Sequence, residues 1–225
     1  MKFISNKADE NEEKEQEQKE ETELLSLFLD SATSDESPKS RSIMLYSDID
    51  EDSAPAITSA LLSLKETGEY KEPENPDDKE CEELITKYEP IKMYISTHGG
   101  SAHDMFAIYD VMNLVQKDCE IETYGIGKIM SAGVLILAAG TKGKRKIGAN
   151  CRVMIHPVNA ASMGDIHDIE NDTKEIKVLQ KQYVKSLSEK TNMTEKYVKS
   201  LIRKKVNTYF SAEDAVRLGI VDEII

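Results

Sequence analysis

Apolar residues are almost absent from the first 20 positions, where Glu, Lys and Gln dominate. Such a stretch cannot bury enough surface to offset the entropy of ordering, so disorder or a solvated helix is expected there. A short apolar patch follows at Leu24, Leu25, Leu27, Phe28 and Leu29, and then a Ser-rich linker, SATSDESPKSRS. The patch suits a docking turn, or simple packing onto the body of the protein or a neighbouring subunit. From Ser42 the pattern changes to alternating strands and helices, the signature of an α/β domain. IMLYS (43–47) reads as a strand, and 53–66 as a helix with Ser53 as N-cap and Pro55 in its first turn. The acidic stretch 66–83, with Pro73 and Pro76, reads as a surface loop. KMYIS (92–96) is the next strand, and 102–116 a helix whose Met105, Ile108, Met112 and Val115 recur at helical spacing. IETYGI (121–126) predicts a strand, SAGVLILAAG (131–140) a fully buried helix ended by glycine, and 152–155 a short strand leading to His156 and Pro157. A long charged helix is expected over 165–190, then one capped by Thr194 that runs to about Lys204. Ser211 and Asp214 frame a capping-box start for a last helix, which Gly219 ends before a terminal strand, IVDEI.

Length and charge sharpen this picture. The 225 residues fit one domain, or one domain with tails. No run approaches the roughly 20 apolar residues that span a bilayer, and the start lacks the apolar core of a secretory signal. A soluble, cytoplasmic protein is therefore expected. Three separated cysteines, Cys81, Cys119 and Cys151, argue against a disulfide scaffold or a structural zinc site. The net charge of −13 is localised: residues 1–42 hold 12 acids and 6 bases, residues 66–83 hold 9 and 2, and the remainder holds 21 of each. The acidity thus belongs to a tail and an insert. A nucleic-acid partner, which needs a basic face, is disfavoured.

Three features can carry chemistry. Ser131 opens a buried apolar helix directly after a strand, where unpaired amides and the helix dipole favour an oxyanion beside its oxygen. An ordinary N-cap serine has the same local pattern, and the GxSxG elbow is absent. His156 ends an apolar strand, RVMI, at the rim of a sheet where α/β proteins bind ligands; a serine and such a histidine make a nucleophile with its general base, although many strand-end histidines are structural. Gly99 and Gly100, between a strand and a helix, allow close backbone approach and can turn an amide toward a carbonyl, as they would also in a simple tight turn. His98, His103 and His167 have no metal-ligand spacing, and neither GxGxxG nor a P-loop occurs.

In combination, THGGSAHDMFAIYDVM, GIGKIMSAGVLILAAGTKGKRKIGANCRVMIHPV and YFSAEDAVRLGIVDEI resemble the proteolytic subunit of the Clp protease (ClpP), over about residues 42–225. The matching family motifs are SPGG followed by an IYD helix, a serine motif of the form G-x-A-A-S-M-G-A, RxMIHQP, and a C-terminal F-[LF]-[ST]-A run. The resemblance implies a crotonase-like stack of ββα units, with 165–190 as a handle helix protruding between rings. It divides the chain into an acidic N-terminal tail, 1–41, and a serine peptidase domain, 42–225. It implies Ser131 as nucleophile, His156 as general base, and the amides of Gly100 and Ala132 as oxyanion hole. Heptameric rings that pair into a chamber are implied, fed with unfolded polypeptide by a separate Clp-type AAA+ unfoldase that uses the ATP. No cofactor is expected in this chain itself.

Two departures from the family pattern stand out. Asn207 occupies the position of the third triad residue, usually Asp, with Asp168 as an alternative orienting group. Loss of that charge can cost about 10⁴-fold in turnover where the geometry follows the Ser-His-Asp case strictly. His98 replaces the proline before the glycine pair and Ala132 the methionine after the serine, which alters the cleft walls and so the side-chain preference. Two other readings stay open: an inactive or regulatory subunit of a mixed ring, and a viral capsid-maturation protease on the same fold. The acidic tail near an axial entrance is expected to gate access or to be a removable propeptide.

Overall fold

The computed structural model describes residues 40–75, 83–159, 162–204 and 206–225, nearly all within the compact unit Arg41–Ile225. The expected tail, up to residue 39, and the 76–82 part of the acidic insert lie outside the described residues.

The architecture is mixed α/β. A seven-stranded, mostly parallel sheet forms from β1 (Ser42–Leu45), β4 (Ile91–Thr97), β5 (Ile121–Met130), β6 (Arg145–Ile147), β7 (Arg152–Ile155), β8 (Thr208–Phe210) and β9 (Glu223–Ile224). The main path runs β1-β4-β5-β6-β9, while β7 pairs with β5 and β8 pairs antiparallel with β7. Period-two alternation sets the faces of the central strands. Met93 and Ile95 point into the core, whereas Tyr94 and Tyr124 stack on the opposite face at 4.7 Å between ring centroids.

The core face is covered by α1 (Ser53–Thr67), α2 (Ala102–Val115) and α3 (Ala132–Ala138). Every residue of α3 is buried, as the unbroken apolar run predicts. The long α4 (Ile166–Lys190) turns Leu179, Tyr183, Val184 and Leu187 inward, and its first three turns are exposed. Next come α5 (Glu195–Arg203), capped by the Thr194 hydroxyl, and α6 (Ala212–Arg217), opened by the Ser211/Asp214 capping box.

β5 organises the sheet. Its first half, Thr123–Gly125, pairs with β6, and its second half, Lys128–Met130, pairs with β7. Between them the register with β4 slips: Ile95 faces Gly125, but Thr97 faces Ile129. One strand therefore serves two different neighbours on the same side.

The acidic segment differs from the expected loop. Glu69–Pro73 is a strand, β2, paired antiparallel with β3 (Leu84–Tyr88). This hairpin has no buried face, so no apolar alternation marked it in the sequence. Ser53 is also not the N-cap of α1. Asp52 holds that position, and the Asp50 carboxylate accepts from the amides of Asp52 and Ser53 instead. The strand expected at 121–126 continues to Met130, and β6 and β8, three residues each, carry too short a pattern to be read.

One polar group is enclosed among the apolar layers. Arg145, 3% exposed, donates to Asp222 from Nε (2.9 Å) and Nη2 (2.6 Å). Its Nη1 reaches the carbonyls of Lys190 and Ala138, at the ends of α4 and α3. Asp222 also accepts from the amides of Gly143 and Arg145. Burial pushes the Asp222 carboxyl up, but the guanidinium and the two amides outweigh it and hold it below its ordinary 3.8. Replacing Asp222 by Asn leaves a buried cation without its counter-charge, and should lower stability by about 3 kcal/mol in urea unfolding at pH 7. Because the folded carboxyl titrates below the unfolded one, this stabilisation is complete above pH 3.8 and is lost as pH falls through the folded value, which acid unfolding of the wild type should register.

Candidate active site

Parallel pairing of β5 with β7 brings two strand ends to the same edge. Met130 is opposite Met154, so Ser131 and His156 both leave the sheet just past that pair. The Ser131 amide continues the ladder, donating to the Met154 carbonyl at 2.8 Å. At Ser131 the chain turns from strand to helix with φ +55° and ψ −122°; among the described residues it is the sole non-glycine with positive φ. A side chain in that region is strained, by about 1–3 kcal/mol, and persists only where its surroundings fix it. Here the Ser131 carbonyl accepts from the Val134 amide (3.1 Å) and from the buried Tyr183 hydroxyl (3.3 Å).

The β4 end closes the other side. Gly99 has φ +102°, and a Cβ there would stand 2.6 Å from the Ser131 Cβ and 2.8 Å from the Met130 carbonyl oxygen. Glycine is thus required both by conformation and by contact. The buried Thr97 hydroxyl accepts from the Gly99 amide at 3.0 Å, and the Gly99 carbonyl accepts from the Ile49 amide at 2.8 Å.

Two amides follow from these bonds. In a trans peptide the N–H points opposite to the preceding C=O, and the described chain has no cis peptide. Because the Gly99 carbonyl faces Ile49, the Gly100 N–H faces away from it, on the cleft side. Because the Ser131 carbonyl faces Val134 and Tyr183, the Ala132 N–H, first of α3, points back out of the helix. Both residues line a cleft of about 430 Å³ together with Ser131 and His156. Apolar walls come from Met105, Ile176 and Leu179. The exposed His98, with its Nδ1 3.8 Å from the Asp48 carboxylate, and His103 also border it.

His156 is half-buried. Burial lowers its pKa below the ordinary 6.5, and a hydrogen bond to the Pro157 carbonyl offsets this only in part, so the ring is neutral at pH 7. Its Nδ1 lies 3.4 Å from the Asn159 amide nitrogen. Among the described residues no hydrogen bond joins the Ser131 hydroxyl to the ring, or Asn207 to it. Asn207 is exposed; extending the antiparallel pair Ile155–Thr208 by one step sets its backbone opposite His156. Asp168 sits in the first turn of α4, its amide bound to the Asp165 carboxylate, and is not in the cleft wall. Burial pushes the Cys151 thiol up to about 11 and raises that of Cys119, so neither is a ready thiolate.

Asn159 and Tyr183 escaped the sequence reading. Asn159 belongs to no motif. Tyr183 shares the buried stripe of α4 with Leu179 and Leu187, four residues to either side, a spacing visible in the sequence beneath the charge of that helix.

The family model for Clp protease matches residues 82–225, which include both glycines, Ser131, His156 and Asn207. That match spans well over half of the chain, and with it the chain belongs to the Clp protease family, a family of peptidases.

Proposed function

We propose that the chain is a Clp-type serine endopeptidase with Ser131 as nucleophile and His156 as general base. The hydroxyl oxygen of Ser131 attacks the scissile carbonyl while the imidazole takes its proton. The amides of Gly100 and Ala132 donate to the oxyanion, and the imidazolium then protonates the leaving amine. Water reverses the sequence and releases the acyl group. The observation that carries this reading is the β5/β7 register, which sets the strained Ser131 and the neutral His156 at one sheet edge beside two cleft-side amides. Asn207 enters as a third residue through register alone.

Family membership implies ring assembly and a Clp ATPase partner in general. The finer reading is a pair of heptameric rings, with the ββα units stacked around a chamber and α4 as the handle. The exposed first turns of α4, with Ile166 at 68% and Ile169 at 41% exposure, support that use of the helix. Unfolded polypeptide is the substrate, delivered by a separate ATP-using unfoldase. A second reading, an inactive or regulatory subunit, is favoured by one observation: among the described residues no carboxylate hydrogen-bonds to the His156 ring.

Ser131→Ala should reduce peptide and casein hydrolysis at least 10³-fold and abolish labelling by a fluorophosphonate. Activity that survives this change would sink the mechanism, and a wild type that takes no label would favour the inactive subunit. A protonated His156 cannot accept the serine proton, and its folded pKa lies below 6.5. The acid limb of the kcat/KM profile should therefore have its midpoint below pH 6.5. Gly99→Ala should displace Ser131, lowering stability by about 2 kcal/mol in thermal unfolding and suppressing the label.

A further inference from the structure

Asn207, the expected orienting group, makes no hydrogen bond to the His156 ring, yet a different side chain lies within reach of it. We propose that Asn159 is the positioning residue for His156, and that the orientation of its amide selects which ring nitrogen carries the proton. This inference rests on the reading of His156 as general base.

Asn159 follows His156 by three residues, on the loop that leaves β7, and its side chain returns to Nδ1 at 3.4 Å. Both residues line the cleft beside Ser131. With Nδ1 taken up by Asn159, Nε2 is the nitrogen left for the Ser131 hydroxyl. A neutral imidazole has one donor and one acceptor, and burial keeps this ring neutral. When the Asn159 NH₂ faces Nδ1, that nitrogen accepts and the proton stays on Nε2. A base protonated at Nε2 cannot take the serine proton, so this arrangement rests the site. When the amide turns half a revolution about its terminal bond, its carbonyl oxygen faces Nδ1 instead. Nδ1–H then donates to it, Nε2 is bare, and the base is ready. A carboxylate has no donor and supports the second tautomer alone; an asparagine supports both.

The other groups around the ring do not duplicate this. The Pro157 carbonyl is a backbone acceptor for a ring N–H and, unlike the Asn159 amide, cannot turn to donate. From α2 the cleft receives His103, from the end of β4 His98 with its partner Asp48, and from α4 Tyr183, whose hydroxyl is committed to the Ser131 carbonyl. On β8 the residues in register with the end of β7 are the uncharged Asn207 and Thr208.

The test is a pH titration of the full chain labelled with ¹⁵N-histidine, read by long-range ¹H–¹⁵N spectra, with the four histidines assigned by a His156→Gln control. Wild type should show His156 with its proton mainly on Nε2. Asn159→Asp should move that proton to Nδ1 and raise the His156 pKa by about one unit or more, a tenfold rise in proton affinity. The acid limb of peptide hydrolysis should move upward with it, and kcat should rise while KM stays within about twofold. Asn159→Ala should leave the ring without a fixed tautomer. An unchanged His156 tautomer and pKa in Asn159→Asp would overturn the proposal, as would the same shifts arising from Asn207→Asp in their place. The spectra need no turnover. If Ser131→Ala retained full hydrolysis, the peptidase reading would fall while the tautomer result still decided the role of Asn159.

Discussion

The molecule turns on the division of β5 between two neighbours. A strand in a regular parallel sheet keeps one partner on each side, and its end then lies beside the end of that partner. Here β5 leaves β6 after Gly125 and takes up β7 from Lys128, with a slip against β4 at the same place. The slip lets the second half of β5 carry its own partners. As a result Met130 faces Met154, and the next residues of both strands emerge together. β7 in turn recruits β8 antiparallel, which brings the 207–208 segment to the same edge. Three segments distant in sequence thus meet through backbone hydrogen bonds, and the side chains of the site inherit their positions from that ladder.

The ladder alone does not account for the backbone geometry at Ser131. Directly after its last β-type bond, at the Ser131 amide, the chain must start a buried helix, and the positive φ of Ser131 is the geometric cost of the abrupt turn. Four contacts hold it: the Met154 carbonyl, the Val134 amide, the Tyr183 hydroxyl and the backbone of Gly99. The Val134 and Tyr183 contacts also fix the peptide plane of the Ala132 amide, while the plane of the Gly100 amide is set separately by the Ile49 amide bound to the Gly99 carbonyl. α4 takes part through Tyr183, and its far end is tied by the Lys190 carbonyl to Arg145 and so to Asp222. The ion pair thereby links the C-terminal strand to the helix that braces the serine.

What could be read in the sequence follows from how strongly each part is written in apolar periodicity. The run Val134–Ala138 announces a buried helix because nothing else accommodates so many consecutive apolar residues next to a strand. Ser131, Gly99, Gly100 and His156 stood out because each marks a break between such runs. The β2–β3 hairpin did not, since both strands are solvated and their charge and prolines resemble a loop. The Ser53 cap misled because Asp50, three residues earlier, offers a carboxylate that satisfies the same amides. Asn159 had no pattern to be found by: its importance depends on a loop folding back upon the preceding histidine, and one residue in a polar loop carries no periodicity.

Among the described residues no carboxylate hydrogen-bonds to the His156 ring, which ties the electrostatics of the candidate site to its proposed chemistry. A negative charge at Nδ1 would raise the pKa of the ring and stabilise the imidazolium formed on attack. With the Asn159 amide there, burial outweighs the Pro157 carbonyl and the pKa falls. In the proposed mechanism His156 then remains unprotonated at lower pH, but each proton it accepts is held less firmly, so the barrier to attack rises.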